Sequence, residues 1–361
     1  MSSPSSIRQR VAGLSRSLGA KMLAAILALT LIPTAVVGAL SVDRSSDLLV
    51  AEAKQLLKKS AKSAGDVIDR NLFERFGDVQ AFAANPLAAG TPGEQAEIID
   101  FLTETYGIYD LMLIADASGV VTAVNSVDGD GAAVSTSGLI GMDVSGTDWF
   151  QVVAGGDTPA EGTYYTDAER SPLTEQVFGD GRLVLPFTAP ITVDGQIVGV
   201  WHNLASFDRI ASGVIEPLLT DLADQGVQTA KVNIVNREGV LLYDPDPTRI
   251  LDYRLADGLR AAELAASSEP GAFGVEIENN TRTGVEQFNA WTTTNGALGF
   301  EGYDWGVLVR QESSETLDRV DGLRNGVIVI GAVAALIAGV LGWLLVRSIS
   351  RPVKEISARA R

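Results

Sequence analysis

The sequence predicts an α+β protein with a long N-terminal helix, two antiparallel-sheet modules in tandem and two transmembrane helices. Three observations predict this fold class. Two stretches without any charge lie towards the ends of the chain, at residues 22–42 and 327–346. Between them the hydrophobic period changes from helix-like to strand-like, and a hairpin pattern recurs after 120 residues. Helices and strands are therefore segregated along the chain, which is typical of α+β architecture.

The composition excludes several classes of function. The 361 residues carry a formal net charge of −17, and residues 43–326 alone contain 19 basic and 44 acidic side chains, a net charge of −25. So acidic a body repels nucleic acid. The chain has no cysteine and one histidine, which leaves no disulfide, no thiol nucleophile and little scope for a multi-histidine metal site. We expect no cofactor, no metal and no enzymatic activity.

Each uncharged stretch is long enough to cross a hydrocarbon core of ~30 Å. The alternative for residues 22–42 is a cleaved signal peptide, because small residues occur near Gly38 and Ala39. Its apolar run exceeds the ~7–15 residues of a signal core, which favours an uncleaved anchor. The alternative for residues 327–346 is a buried core helix, which twenty uncharged residues between Arg324 and Arg347 disfavour.

The basic residues at the two ends of the chain predict its orientation. Residues 1–21 contain four basic and no acidic side chains, and residues 347–361 contain five basic and one acidic. By the positive-inside rule both termini are cytoplasmic. Residues 43–326 then face the periplasm or the exterior, and the chain is a two-pass protein of the cytoplasmic (inner) membrane.

Residues 43–86 predict a stalk helix. Apolar residues recur there every three or four positions, which is the spacing of one helix face, and no proline interrupts them before Pro86. These residues are Leu57, Ala61, Ala64, Ile68, Leu72, Phe76, Val79 and Ala83. The helix either packs along its own domain or also contributes a dimer contact.

Residues 87–205 predict the first sheet module. An apolar run, a turn from Asp116 to Gly119 and a second apolar run form one hairpin, because Asp at the start and Gly at the end of a turn favour it. Asp194-Gly195 joins two further apolar runs, at residues 183–192 and 196–204, and is a strong hairpin signal.

Residues 227–312 predict the second module, with its first turn from Asn236 to Gly239 and three later strands at residues 272–277, 285–292 and 305–310. A connecting helix is expected at residues 206–226, with Ser206 as its N-cap and a kink at Pro217. A return helix at residues 313–326 leads into the second span.

Small residues recur every four positions along that span, at Gly331, Ala335 and Gly339. Such a stripe permits close helix approach in lipid. It predicts packing on the first span or on a dimer mate, although glycine and alanine are also simply common in spans.

This order of elements resembles the double-Cache (dCache) family of bacterial sensory ectodomains with PAS-like modules. Residues 347–357, RSISRPVKEIS, are similar to the start of a HAMP linker, with Pro352 and Glu355 at the expected spacing. The resemblance implies a homodimeric receptor in membrane lipid that binds a small molecule in its membrane-distal module, residues 87–205. It also implies a cytoplasmic output module beyond residue 361.

Members that bind amino acids have an Arg two residues before a Trp, an aromatic after that Trp, then a Tyr, an Asp and a final Asp. Here Thr147 stands in place of the Arg and Asn203 lies near the place of the final Asp. The candidate ligand residues by this resemblance are Trp149, Phe150, Tyr165, Asp167 and Asn203, with possible contributions from Tyr109, Asp110 and Arg182.

The ligand class follows from these substitutions. A threonine cannot grip a carboxylate as a guanidinium does. An aromatic wall with a carboxylate suits a cation, so a small amine or quaternary ammonium is favoured. Arg182 could restore anion recognition, which keeps amino acids and carboxylates as alternatives. Taken singly, Trp149 and Phe150 could be core aromatics and Asp167 could cap a turn.

The function predicted is extracytoplasmic sensing and transmembrane signalling, as the sensor part of a chemoreceptor. One alternative is the sensor of a histidine kinase or diguanylate cyclase. A distant alternative is a membrane-tethered hydrolase, for which the sequence offers no GxSxG, P-loop or HExxH motif. His202 is interpreted as structural, and DGDG at residues 128–131 as a solvated turn.

Overall fold

The computed structural model describes residues 18–158 and 162–359. Its α-helices there are α1 (Leu18–Ala83), α2 (Pro92–Tyr106), α3 (Asp148–Ala154), α4 (Pro172–Phe178), α5 (Phe207–Asp224), α6 (Arg260–Ser267) and α7 (Ser313–Arg359). Its strands are β1 (Tyr109–Asp116), β2 (Val121–Val124), β3 (Tyr164–Tyr165), β4 (Glu169–Arg170), β5 (Leu183–Val193), β6 (Gln196–Ser206), β7 (Lys231–Val235), β8 (Leu241–Tyr243), β9 (Phe273–Asn279), β10 (Glu286–Thr293) and β11 (Gly306–Glu312). The α+β class is confirmed.

The chain divides into two compact units. The helical unit comprises Met1–Ala53 and Ser313–Arg361, and the sheet unit comprises Lys54–Glu312. Residues 1–17 of the predicted cytoplasmic tail, and residues 360 and 361 at the end of the predicted HAMP start, lie outside the described residues.

The helical unit contains the two apolar segments, and both are helices long and apolar enough to cross a membrane. Helix α1 continues through Pro33, and the Thr34 hydroxyl donates to the Thr30 carbonyl 2.7 Å away. A methyl group added at Gly38 would lie 3.0 Å from Val327. The predicted stalk helix and first span form one helix, as do the predicted return helix and second span.

The predicted stripe of small residues, Gly331, Ala335 and Gly339, is half-buried and lies on the same side of α7 as Val327 and the buried Gly342. A methyl group added at Gly331 or Gly339 would meet no atom within 4 Å, whereas one at Gly342 would lie 2.9 Å from Leu23. Among these glycines, Gly38 and Gly342 therefore mark the closest approach of the two helices within the chain. Packing of the stripe on a dimer mate stays a prediction.

The first sheet is antiparallel, with the order β2-β1-β6-β5-β3 and with β4 also paired to β5. Its first hairpin is confirmed: the Gly119 amide donates to the Asp116 carbonyl across 2.9 Å, and Gly119 has a φ of +87°. Asp194 and Gly195 form the second turn with φ values of 50° and 78°, as a two-residue hairpin turn of type I′ requires.

The second sheet is antiparallel with the order β8-β7-β11-β10-β9. Its first hairpin closes with a 2.9 Å bond from the Gly239 amide to the Asn236 carbonyl, and strands β9 to β11 lie within two residues of the predicted ranges. In both sheets the last strand in sequence lies beside the first strand of the opening hairpin.

The two faces of each sheet are named here by the helices that cover them. On the α3 face of the first sheet, Phe150 and Val153 join a core with Leu111, Leu113 and Leu204. The opposite face is the α1 face, where Phe82 of α1 contacts Trp201. On the second sheet, Ala262 and Ala265 of α6 pack on Val235 and Leu308, which defines the α6 face.

Helix α5 lies within the predicted range and runs through Pro217 without interruption. The predicted N-cap is wrong in one respect. Ser206 precedes the helix, but its side chain makes no capping hydrogen bond. Ser206 instead ends β6, and its backbone amide donates to the Ile108 carbonyl across 2.8 Å.

Candidate functional site

The α3 face of the first sheet carries a half-buried tryptophan. Helix α3 begins at Asp148, so Trp149 lies in its first turn and Phe150 turns into the core. The Trp149 ring lies flat on the His202 ring, with centroids 4.1 Å apart and planes 11° apart. One face of the indole is therefore held by the sheet.

His202 is a functional candidate, although the sequence predicted only a structural role for it. It is 2% exposed, and its Nδ1 lies 2.8 Å from the hydroxyl of Thr188 on β5. Burial lowers the pKa of His202 to about 3. The imidazole is therefore neutral at physiological pH and supplies a flat, uncharged floor under Trp149.

Tyr164, and not the predicted Tyr165, shares this face with Trp149. Neighbouring strand residues point to opposite faces, and cross-strand partners share one. Tyr164 pairs with Thr188 and packs against the α3-face core. Burial raises the pKa of Tyr164, and the negative charges of Asp148 and Glu169 raise it further.

Tyr165 belongs to an aromatic cluster on the α1 face. Its ring centroid lies 5.0 Å from that of Phe300, 5.5 Å from Tyr303 and 5.9 Å from Phe76. Phe300 and Tyr303 come from the second module and Phe76 from α1. Tyr165 therefore joins the two sheets.

Asp167 is engaged in the same junction. Its Oδ1 accepts a hydrogen bond from Trp305 Nε1 across 2.8 Å and another from the Ala168 amide across 2.7 Å. Burial raises the pKa of Asp167, as does the negative charge of Glu238, although these two hydrogen bonds lower it. The carboxylate that was predicted to pair with a cation beside Trp149 thus holds the indole of Trp305.

Asn203 is fully buried on the α1 face, one residue from His202 and on the opposite side of β6. Its Oδ1 accepts from Trp201 Nε1 across 2.7 Å, and within the described residues its Nδ2 has no partner. The register pairs Asn203 with Phe187, which in turn pairs with Tyr165. Asn203 and Trp149 therefore lie on opposite sides of the sheet.

Tyr109 also faces α1. Its hydroxyl donates to Asp78 across 2.7 Å, and the Arg75 guanidinium lies 5.7 Å from its ring centroid. Burial raises the pKa of Tyr109 well above its ordinary range. The residue anchors the first strand to α1.

Asp110 and Arg182 form a third group of predicted residues, separate from those around Trp149 and those on the α1 face. Their ion pair measures 3.2 Å, and they line a cavity of about 540 Å³ together with Arg209 and with Tyr243 and Asp244 of the second module. Burial raises the pKa of Asp110, against the lowering effect of Arg182. The eight predicted residues therefore do not form one pocket.

Thr147, at the position where the resembling receptors have an arginine, donates its hydroxyl to the Val144 carbonyl across 2.8 Å.

Within residues 18–158 and 162–359 no group of three or more His, Cys, Asp or Glu side chains is arranged to hold a metal ion. In the DGDG segment, Asp128 accepts from the backbone amides of Asp130 and Ala132, as in a turn.

No protein-family model matches the sequence, and no curated protein matches it. The chain is, however, similar to several solved structures. The ligand-binding domain of the amino acid chemoreceptor PctB of Pseudomonas aeruginosa PAO1, in complex with L-Arg, is 15% identical at a TM-score of 0.50, covering 79% of this chain and 99% of that one.

Two further structures are similar at a TM-score of 0.48. One is the ligand-binding domain of PctC from the same organism in complex with GABA, 19% identical over 72% of this chain and 99% of that one. The other is an extracellular ligand binding receptor from Desulfohalobium retbaense DSM5692, 17% identical over 71% of this chain and only 39% of that one. The likeness to PctB shows that the chain shares the fold of a chemoreceptor ligand-binding domain.

Proposed function

We propose that the chain is the sensor part of a bacterial double-Cache chemoreceptor, which binds a small molecule outside the membrane and signals across it. The observation that carries the proposal is the bracketing of an α+β sheet unit by two helices long and apolar enough to span a membrane. The fold shared with the PctB domain supports the same conclusion. A histidine kinase or diguanylate cyclase could use the same sensor, and the likeness to PctB favours the chemoreceptor.

The domain limits follow the predicted order, with first and second modules at residues 87–205 and 227–312. We propose a homodimer with both termini in the cytoplasm and a HAMP linker starting at residue 347. Strand β11 ends at Glu312 and α7 begins at Ser313, so the sheet connects to the second apolar helix without a loop. A shift of β11 is in this way passed directly to α7.

The ligand site proposed is the α3 face of the first module. Trp149 and Tyr164 supply half-buried aromatic surface, and Asp148 and Glu169 supply negative charge near Tyr164. Phe150 and His202 fix the indole from below. Of the predicted residues, Tyr165, Asp167, Asn203 and Tyr109 lie on the α1 face and would not contact the ligand.

This arrangement suits a small cation. Aromatic faces and carboxylates both attract an ammonium group. Thr147 cannot bind a carboxylate in the bidentate manner of arginine, and Arg182 is engaged with Asp110. A small amine or quaternary ammonium is therefore favoured over an α-amino acid, although the PctB domain holds L-Arg.

Calorimetry on the full chain in lipid nanodiscs tests the proposal, with choline, 1,4-diaminobutane, L-arginine and acetate as probes. We expect an amine to bind. Trp149→Ala should weaken binding by roughly 3- to 30-fold, as expected for a lost cation–π contact of ~0.7–2 kcal/mol. Glu169→Gln should weaken cation binding as well.

Tyr164→Phe and Tyr165→Phe form a matched pair, because the two hydroxyls belong to adjacent residues on opposite faces. Tyr164→Phe should lower affinity and Tyr165→Phe should leave it unchanged. Binding that survives Trp149→Ala but is lost in Tyr165→Phe would place the ligand on the α1 face instead. Absence of binding by every amine would refute the cation assignment.

A further inference from the structure

The second module contains a cavity of about 250 Å³ on the α6 face of its sheet. Arg310 of β11 pairs with Asn289 of β10 and with Lys231 of β7. Arg310 is two residues from Leu308, which packs in the α6-face core, so both side chains lie on that face. The residues that matter for the cavity's chemistry are Lys231, Asn233, Arg249, Arg282, Gln287 and Arg310.

Arg310 is buried at the base of this cavity, with 4% of its surface exposed. Its Nε donates to Asn289 Oδ1 across 3.0 Å and its Nη1 to Asn233 Oδ1 across 2.9 Å, and its Nη2 donates to Gln287 Oε1. All three acceptors are neutral amide oxygens. A guanidinium has five N–H donors, so one N–H on each terminal nitrogen remains for another partner.

No carboxylate of the described residues forms an ion pair with Arg310. Asp244, whose negative charge does most to favour the charged form of Arg310, already accepts from Arg249 across 2.8 Å and from Asn233 across 2.8 Å. Burial lowers the pKa of Arg310. A buried charge without a counter-ion is costly, and a bound anion relieves that cost.

The cavity lining is also more basic than residues 43–326 as a whole. Four basic side chains line it, those of Lys231, Arg249, Arg282 and Arg310, against three acidic ones. Residues 227–312 contain only seven basic side chains in all, and residues 43–326 carry a net charge of −25. Positive charge is thus concentrated around the buried guanidinium of Arg310.

We propose that the second module holds a binding site of its own for a small carboxylate anion. The carboxylate accepts the two remaining N–H groups of Arg310 in a bidentate pair. Arg282 and Lys231 attract the anion at the rim, and the amides of Asn233 and Gln287 fix the guanidinium. The volume lies below the ~300–1,000 Å³ of pockets for drug-sized ligands, which points to a small organic acid.

The test uses the full chain in lipid nanodiscs and measures the shift of its thermal unfolding with acetate, pyruvate, succinate and citrate. Chloride and phosphate at equal ionic strength are included as other anions. A ligand that binds only the folded state raises the unfolding temperature in a saturable manner. We expect at least one carboxylate to do so at concentrations where chloride and phosphate do not.

Variants then locate the site. Arg310→Met should abolish the shift, and Arg310→Lys, which keeps the charge but loses the fork, should weaken binding by at least about tenfold. Arg282→Gln should weaken it severalfold without touching the core, and remains informative if the Arg310 variants fail to fold. Arg260→Gln removes an equal charge from the same module outside the cavity and should have no effect.

Three outcomes would overturn the proposal: no carboxylate stabilises the chain, chloride or phosphate stabilises it equally, or the effect is the same in Arg282→Gln and Arg260→Gln. The site is separate from the α3 face of the first module. Trp149→Ala should therefore leave carboxylate binding unchanged, so the two proposals can fail independently.

Discussion

Trp149 lies flat on His202, with ring centroids 4.1 Å apart and planes only 11° apart. The indole is half-buried and the imidazole fully buried, so the pair connects the surface of α3 to the middle of β6. The stack makes the position of Trp149 depend on an uncharged His202. Protonation of the ring in place would put an unpaired charge inside the sheet.

His202 should therefore make the folded state less stable in acid. Its pKa is about 3 in the fold against an ordinary 6.5. Between these values the unfolded chain binds the proton and the folded chain does not, so stability falls as pH falls through this window. The slope from this group is about 1.4 kcal/mol per pH unit. In chemical denaturation of the full chain and of His202→Gln, the unfolding free energy of the wild type minus that of the variant should fall with this slope between pH 6 and 4, because the contributions of other groups cancel. Equal slopes would contradict the assignment of a buried neutral imidazole.

Asp69 should act in the opposite direction. Its Oδ2 accepts from the Asn295 amide across 2.8 Å, and burial raises its pKa from 3.8 to about 6. Between pH 6 and 3.8 the folded state binds the extra proton, so acid stabilises the fold through this group. The difference in unfolding free energy between wild type and Asp69→Asn should grow in favour of the wild type as pH is lowered from 7 to 4. A difference that stays constant with pH would show that Asp69 is already ionised without cost.

The parts of the fold that the sequence predicted are those set by interactions between residues close in the chain. The turns at Gly119, Gly239 and Gly195 are set by residues that tolerate positive φ, and the helices by three- and four-residue spacing. These signals lie within a few residues of one another. They made the hairpins and the α+β class predictable, whereas Ser206 shows that a good capping residue need not cap when a strand ends there.

The arrangement of the candidate site depends on strand pairing and on contacts between residues far apart in the chain, which short stretches of sequence do not reveal. Whether Tyr164 or Tyr165 shares a face with Trp149 is decided by the pairing of β3 with β5, and a shift of one residue reverses the answer. The partner of Asp167 is Trp305, 138 residues away. Arg310 likewise finds Asn233 across 77 residues. The resemblance to a ligand-binding pattern selected residues by their type and spacing, and neither indicates on which face of the sheet each side chain lies.

The hydrogen bond between Asp167 and Trp305 should contribute to stability, because it links the two modules through a half-buried carboxylate and a buried indole. Asp167→Ala leaves the Nε1 donor of Trp305 without its acceptor, and we expect a loss of about 1–3 kcal/mol in unfolding free energy. Trp305→Phe removes the donor while keeping an aromatic ring. In a double-mutant cycle measured by denaturation, the two changes should couple by about 1 kcal/mol, whereas Asp148→Ala paired with Trp305→Phe should be additive. Additivity of the Asp167 pair would mean that the bond contributes nothing.

The contact of the two apolar helices in the helical unit can be tested with cysteine pairs, because the chain has no native cysteine. A methyl group at Gly38 would lie 3.0 Å from a Val327 methyl carbon, which is one bond from the Val327 Cβ, so the two Cβ atoms lie near the ~3.5–4.5 Å that a disulfide spans. Gly38→Cys with Val327→Cys should therefore cross-link within one chain upon mild oxidation in the membrane.

Gly38→Cys with Gly339→Cys is the control pair, since Gly339 lies twelve residues beyond Val327, ~18 Å along a helix, and has no atom near its added methyl group. This pair should give no cross-link within a chain. Gly339→Cys alone should give a covalent dimer if the stripe of Gly331, Ala335 and Gly339 faces a second copy of the chain. If Gly339→Cys gives only monomer, the stripe does not lie in a dimer interface. If Gly38→Cys and Val327→Cys do not cross-link, the two helices do not make the contact at Gly38 in the membrane.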